Sequence, residues 1–291
     1  MSSSQLIKHP LGFLTVANKP SAEELGKYYA EKYFQQAHGS YELNYGEDEK
    51  NYFRAKLAQR YSVIQQLVPN GRKMLDVGCG EGFALAYFRQ QGWQVRGLDF
   101  SSAGVEAQNP SCIDALETGD VFALLDQENK ESRTYDVIIL QNVLEHVIDP
   151  VDLLGSLKSV VSRGGVLVVT VPNDFSGIQK EALSSGHIDN EFWVALPDHL
   201  SYFDHASLPA AAEHAGWKCR ELLADFPIDW FLFHEGSNYV NERHLGKAAH
   251  IARVQLENLI HRCSLPDVVA YWAAAARLGI GRGITAFLQN E

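Results

Sequence analysis

The chain has 291 residues, 46% of them hydrophobic and 21% charged, enough apolar material for one elaborated domain with a sizeable core. Its formal charge of −11 comes without any run of Lys and Arg, so it lacks the clustered cations that nucleic acid or an anionic membrane surface requires. The four cysteines, Cys79, Cys112, Cys219 and Cys263, show no C-x-x-C pair or zinc spacing and read as reduced thiols of a cytoplasmic chain, and no apolar stretch approaches a membrane span.

Residues 1–69 read as a helical extension. Ser21 and Glu24 stand at capping-box spacing after Pro20, and Leu25, Tyr28, Tyr29, Tyr33 and Phe34 follow at helical intervals, which predicts a helix over 21–37. A tyrosine-rich loop, Ser40-Tyr41-Glu42-Leu43-Asn44-Tyr45, leads to a second helical stripe of Phe53, Leu57, Tyr61, Ile64 and Leu67 that Pro69 ends. Aromatics at this spacing commonly pack a lid onto its domain.

The stretch Met74-Leu75-Asp76-Val77-Gly78-Cys79-Gly80-Glu81-Gly82 reads as a buried strand and a glycine turn opening a helix. Val95-Arg96-Gly97-Leu98-Asp99-Phe100 is a second strand ending in a carboxylate that can accept hydrogen bonds from a ribose diol. Glycines let backbone approach a ligand where a Cβ would collide, so a nucleoside-containing cofactor is expected. A dinucleotide fingerprint would place a glycine at 83, but that residue is Phe83, and the third glycine comes one position early at Gly82.

The resulting D-x-G-x-G-x-G phrase resembles motif I of the class I S-adenosylmethionine-dependent methyltransferases. The resemblance continues through Thr118-Gly119-Asp120-Val121, through Tyr135-Asp136-Val137-Ile138-Ile139-Leu140-Gln141-Asn142-Val143-Leu144-Glu145-His146-Val147, and through the strand Gly165–Pro172. It covers roughly residues 70–220 and implies a Rossmann-like, doubly wound α/β sheet of seven strands with the last one antiparallel. It also implies S-adenosylmethionine as cofactor, held by Asp76, Gly78, Cys79, Gly80, Gly82, Asp99, Phe100, Asp120, Val121 and Gln141, with the acid at Asp120 on the adenine amino group.

The segments Trp217–Ala224 and Gly283–Gln289 fit strands six and seven, a hairpin in the resembled family, yet more than fifty residues separate them. That is too long for a structureless loop, and the apolar faces Leu245-Ala248-Ala249-Ala252-Leu256-Leu259-Ile260 and Val268-Val269-Trp272-Ala276 predict a helical pair. The organisation expected is an N-terminal lid at 1–69, a cofactor domain at 70–228 plus 279–291, and a helical insertion at 229–278 that shapes a pocket, forms a homodimer interface or simply packs.

Methyl transfer to an alcohol or phenol gains from a general base, and the candidates are His199, in Leu196-Pro197-Asp198-His199-Leu200, and His146. Similar quinone-pathway O-methyltransferases hold a divalent metal with E-x-x-E-H. Here Asn142 replaces the first acid, so no metal is expected, and Glu145 is expected to cap or pack the start of a helix with His146 lining the pocket. The expected acceptor is a small molecule, a sugar, nucleotide sugar or phenol. Sugar O-methylation is favoured by the resemblance of Lys19–Tyr29 and Leu278-Gly279-Ile280-Gly281-Arg282 to bacterial glycan-decorating enzymes. A quinone, phenol or amine methyltransferase and a cofactor-binding scaffold without turnover are the alternatives.

Overall fold

The computed structural model describes residues 5–21, 23–25, 28 and 44–291, so most of the helix expected over 21–37 and the loop at 40–43 lie outside the described residues. The central sheet has seven strands: β3 (Lys73–Val77), β4 (Gln94–Asp99), β5 (Leu116–Thr118), β6 (Tyr135–Gln141), β7 (Val161–Pro172), β9 (Lys218–Ala224) and β10 (Gly283–Gln289). Their order is β5-β4-β3-β6-β7-β10-β9, with β3 to β7 parallel and β10 antiparallel to both β7 and β9. The order reverses direction between β3 and β6, and that switch point opens a crevice beyond the carboxyl ends of the strands.

Buried parallel strands carry continuous apolar runs because helices cover both of their faces. Leu75, Val77, Ile138, Leu140, Leu167 and Val169 point to one side, where α4 (Val121–Lys130), α5 (Pro150–Leu157) and α7 (Ser207–His214) close the core. The intervening Met74, Val137, Ile139, Val166 and Val168 point to the other, against α1 (Glu47–Leu67), α2 (Phe83–Gln90) and α9 (Leu265–Arg277). The chain between β9 and β10 forms 3-10 turns, α8 (Gly246–Ile260) and α9. Trp272 of α9 is fully buried in the second core, so this helix is a sheet-covering layer, while α8 packs on α1.

The N-terminal segment also contributes a hairpin that its sequence does not announce. β1 (Leu6–Lys8) pairs with β2 (Leu14–Val16), and β2 pairs with β8 (Ser201–Tyr202). Strands this short show no measurable alternation, and only the tertiary partner defines them. Thr15 Oγ1 donates to the Leu200 carbonyl at 3.0 Å, which straps the N-terminal hairpin to the loop that follows His199.

Candidate active site

The glycine turn after β3 takes its shape from residues that no side chain would permit. Gly78, Gly80 and Gly82 have φ of +72°, +54° and +72°. A Cβ on Gly78 would lie 2.7 Å from Val143 Cγ2. Gly104, in the first turn of α3 (Ala103–Gln108), leaves room for the turn itself, since a Cβ there would stand 2.5 Å from the Gly80 carbonyl oxygen. At the end of β4, Asp99 Oδ2 accepts from Gly80 N at 2.8 Å and Oδ1 accepts from Ser101 N at 3.1 Å. These bonds hold the carboxylate toward the turn.

Asp76, on β3 beneath the same turn, is 3% exposed, and its side chain makes no hydrogen bond or ion pair among the described residues. Burial, reinforced by the neighbouring Asp99, pushes its pKa up to about 7. A carboxyl group so placed on a cleft wall is suited to a cationic ligand, whose charge would restore the ionised form.

The cleft has a volume of about 780 Å³. Its walls include Asp76, Gly78, Cys79, Gly80, Asp99, Phe100, Val121, Gln141 and His146, so most of the residues expected to bind cofactor surround one space. Three of the expected residues do not line it. Gly82 sits behind the turn as the N-cap of α2, and Asp120 is the N-cap of α4, its Oδ1 accepting from Phe122 N and Ala123 N at 3.0 and 2.9 Å. At this end of the cleft it is Val121 and Phe122 that face the space. His199 stands behind His146, with ring centroids 4.8 Å apart and the rings edge to face.

Glu145 does not cap the helix that follows. It lies in a 3-10 turn, Leu144–His146, and is 2% exposed, while Asp149 caps α5 by accepting from Val151 N and Asp152 N. Burial pushes the Glu145 carboxyl up to about 8. Replacement of an acid by Asn142 does not leave the pair Glu145-His146 alone, because the long connection after β7 brings His199 to them. Donor atoms of Glu145, His146 and His199 all lie within 4.8 Å of one another. His146 Nδ1 is 2.9 Å from the Asp198 carbonyl oxygen. A carbonyl only accepts, so Nδ1 carries the hydrogen and Nε2 the lone pair in the neutral ring.

The opposite wall comes from elements whose polar side chains the apolar patterns did not reveal. Tyr52, Lys56 and Arg60 of α1, Asp225 after β9, Arg253 of α8 and Arg282 before β10 all line the cleft. The first three follow one another at four-residue intervals beside the apolar stripe, a signal present in the sequence but masked by the stronger apolar one. Arg60 Nη1 donates to Gln141 Oε1 at 2.5 Å, and burial holds its guanidinium below the usual arginine range. Lys56 Nζ is 3.1 Å from Glu257 Oε2, which is fully buried. Arg282 Nη1 donates to Asp174 Oδ1 at 2.6 Å, and the carbonyls of Gly279 and Gly281 just before it accept from Asn173 Nδ2. Asp225 Oδ1 accepts from Gly283 N at 2.6 Å, and burial raises its pKa.

A seven-stranded sheet with this order, a left-handed glycine turn at its switch point and a buried carboxylate at the end of the neighbouring strand are the architecture of a nucleoside-cofactor enzyme of the methyltransferase type. A family profile described as a methyltransferase domain matches residues 47–222, and the chain belongs to that family, the class I S-adenosylmethionine-dependent methyltransferases. S-adenosylmethionine is its cofactor. The ubiquinone biosynthesis O-methyltransferase of Vibrio cholerae serotype O1 is 34% identical over 154 residues, 47% of this chain and 61% of that protein. The protein of the same name from Aliivibrio fischeri strain MJ11 is 39% identical over 100 residues, 33% of this chain and 42% of its own length. The chain thus spans about half the length of the curated relatives it matches, and they are named for quinone rather than sugar chemistry. A solved S-adenosylmethionine-dependent methyltransferase from Archaeoglobus fulgidus aligns over 91% of this chain and 99% of its own, at 17% identity and a TM-score of 0.49. Among the described residues no helix is long and apolar enough to cross a membrane.

Proposed function

We propose that this chain methylates a hydroxyl of a small polar acceptor, a sugar or sugar-linked metabolite, with His146 accepting the proton. The observation that carries this reading is the set of polar side chains on the cleft wall facing the glycine turn, Tyr52, Lys56, Asp225, Arg253 and Arg282, which stand among its apolar residues and offer hydrogen-bonding groups to an acceptor. When bound, S-adenosylmethionine supplies an electrophilic methyl carbon open to in-line displacement. Asp99 would hold the ribose hydroxyls, Asp76 would face the positive charge of the methionine portion, and Arg60 would take its carboxylate. Phe100, Val121 and Phe122 would flank the base. His146 carries its ring hydrogen on the nitrogen beside Asp198, which leaves the other nitrogen basic, and His199 and the buried Glu145 position that ring.

His146→Gln should lower turnover about a hundredfold while affinity for S-adenosylhomocysteine and melting temperature stay at wild-type values. The wild-type rate should rise with pH through the imidazole range, and the variant should lack that limb. A variant whose activity falls only in step with its folded fraction would remove His146 from the chemistry. This reading gives Glu145, His146 and His199 to proton handling without a metal, so a chelator should leave the rate unchanged. Loss of rate restored by zinc or manganese would transfer the trio to a metal role.

The second reading is a quinol or phenol acceptor. It rests on the names of the curated relatives and on Phe53 and Phe83, whose rings lie 4.7 Å apart on the cleft wall. Release of S-adenosylhomocysteine over parallel series of sugars and catechols separates the two.

A further inference from the structure

Four Lys and Arg side chains line the cleft, and the structure divides them by what neutralises them. Lys56 faces Glu257 at 3.1 Å and Arg282 bonds Asp174 at 2.6 Å, so each has its own carboxylate. Arg60 and Arg253 have no carboxylate within ion-pair distance among the described residues; Asp76 and Asp225 on the same walls act on them only through space. Arg60 meets the neutral amide of Gln141, beside Asp76 at the cofactor end. Arg253 Nη2 lies 3.1 Å from His250 Nδ1, its guanidinium stacks over the Tyr52 ring at 5.4 Å, and its enclosed Nε has no hydrogen-bond partner among the described residues. The second nitrogen of His250 is 3.1 Å from Glu49 Oε1. Arg253 Nη2 can only donate, so the contact with His250 uses Nδ1 as acceptor and leaves Nε2 to donate to Glu49.

A guanidinium in a half-enclosed cleft is costly without a counter-charge, and its fork suits an oxyanion. S-adenosylmethionine brings one carboxylate, which Arg60 is placed to take. Building on the acceptor reading above, we infer that Arg253, carried into the cleft by α8, binds an anionic group of the acceptor, a phosphate or a carboxylate, with Tyr52 holding the guanidinium flat from behind. The insertion between β9 and β10 is then the element that selects charged acceptors over neutral ones.

The test uses the full chain saturated with S-adenosylhomocysteine, titrated in a calorimeter with glucose, glucose 6-phosphate, glucuronate and inorganic phosphate. At least one anionic probe should bind ten- to a hundredfold more tightly than glucose, the range expected of a charge-assisted fork. Glucose 6-phosphate against glucuronate identifies which oxyanion is preferred, and inorganic phosphate shows whether the anion alone suffices. Arg253→Met should remove that preference and leave affinity for S-adenosylhomocysteine unchanged, whereas Arg60→Met should weaken S-adenosylhomocysteine and spare the anionic probe. The inference fails if no anionic probe binds better than glucose, if Arg253→Met keeps the preference, or if Arg253→Met loses S-adenosylhomocysteine instead. Arg253-dependent anion binding with no methylation of any sugar would sink the acceptor reading alone. Methylation of neutral sugars with KM unaltered by Arg253→Met would sink the anion site alone.

Discussion

Replacing Asp76 by Asn separates what this carboxyl does for folding from what it does for the ligand. Its pKa is raised from 3.8 to about 7, with burial as the main cause. A carboxyl with a raised folded pKa destabilises the fold once ionised: the cost is absent below the unfolded value of 3.8, grows as pH rises, and is complete above about 7. Roughly three units at about 1.4 kcal/mol each give about 4 kcal/mol at pH 8, and solvent in the cleft that the group faces reduces this to about 2–4 kcal/mol. Asn has the same shape and no charge. The ligand-free variant should therefore melt about 5–15 °C above wild type at pH 8, at roughly 2–4 °C per kcal/mol, with less than half of that gain left at pH 5. Saturating S-adenosylmethionine at a hundred times its Kd should stabilise wild type by about 2.7 kcal/mol, and at that same concentration the variant should gain much less. Scanning calorimetry with and without cofactor at both pH values reads all four states. Equal melting of the two ligand-free proteins at pH 8, or full cofactor stabilisation of the variant, would refute the reasoning.

Gly104→Ala places a methyl group 2.5 Å from the Gly80 carbonyl oxygen, so it should displace the glycine turn, cost about 1–3 kcal/mol of stability and weaken S-adenosylhomocysteine binding by calorimetry. Unchanged affinity would mean that α3 yields instead of the turn. Asp99→Ala removes the acceptor of two backbone N–H groups as well as the proposed ribose acceptor, and should lower cofactor affinity by about 1–3 kcal/mol; a folded variant that binds normally would take Asp99 out of the site. Lys56→Met leaves Glu257, 0% exposed, without its cation and should cost about 3–5 kcal/mol in denaturant unfolding. Adding Glu257→Leu should recover most of that loss, and a single variant as stable as wild type would show that the pair compensates nothing.

The glycine-turn end of the cleft was legible in the sequence because its constraints are local. Gly78 and Gly80 must be glycine to hold positive φ, the carboxylates of Asp76 and Asp99 fall on or at the end of apolar strands, and buried parallel strands write themselves as unbroken apolar runs. Local reasoning does not reveal that Asp120 caps a helix, since a carboxylate before a helix can satisfy the first-turn N–H groups as well as face a ligand, and the arrangement depends on where the helix points. The opposite wall was decided by packing alone. His199 joins His146 across more than fifty residues, Arg253 reaches the cleft only because α8 lies on α1, and Arg282 is aimed by two glycine carbonyls that Asn173 ties down. A pattern of apolar residues states which face of an element is buried. It does not state against what, and the side chains that meet across the cleft depend on that second fact.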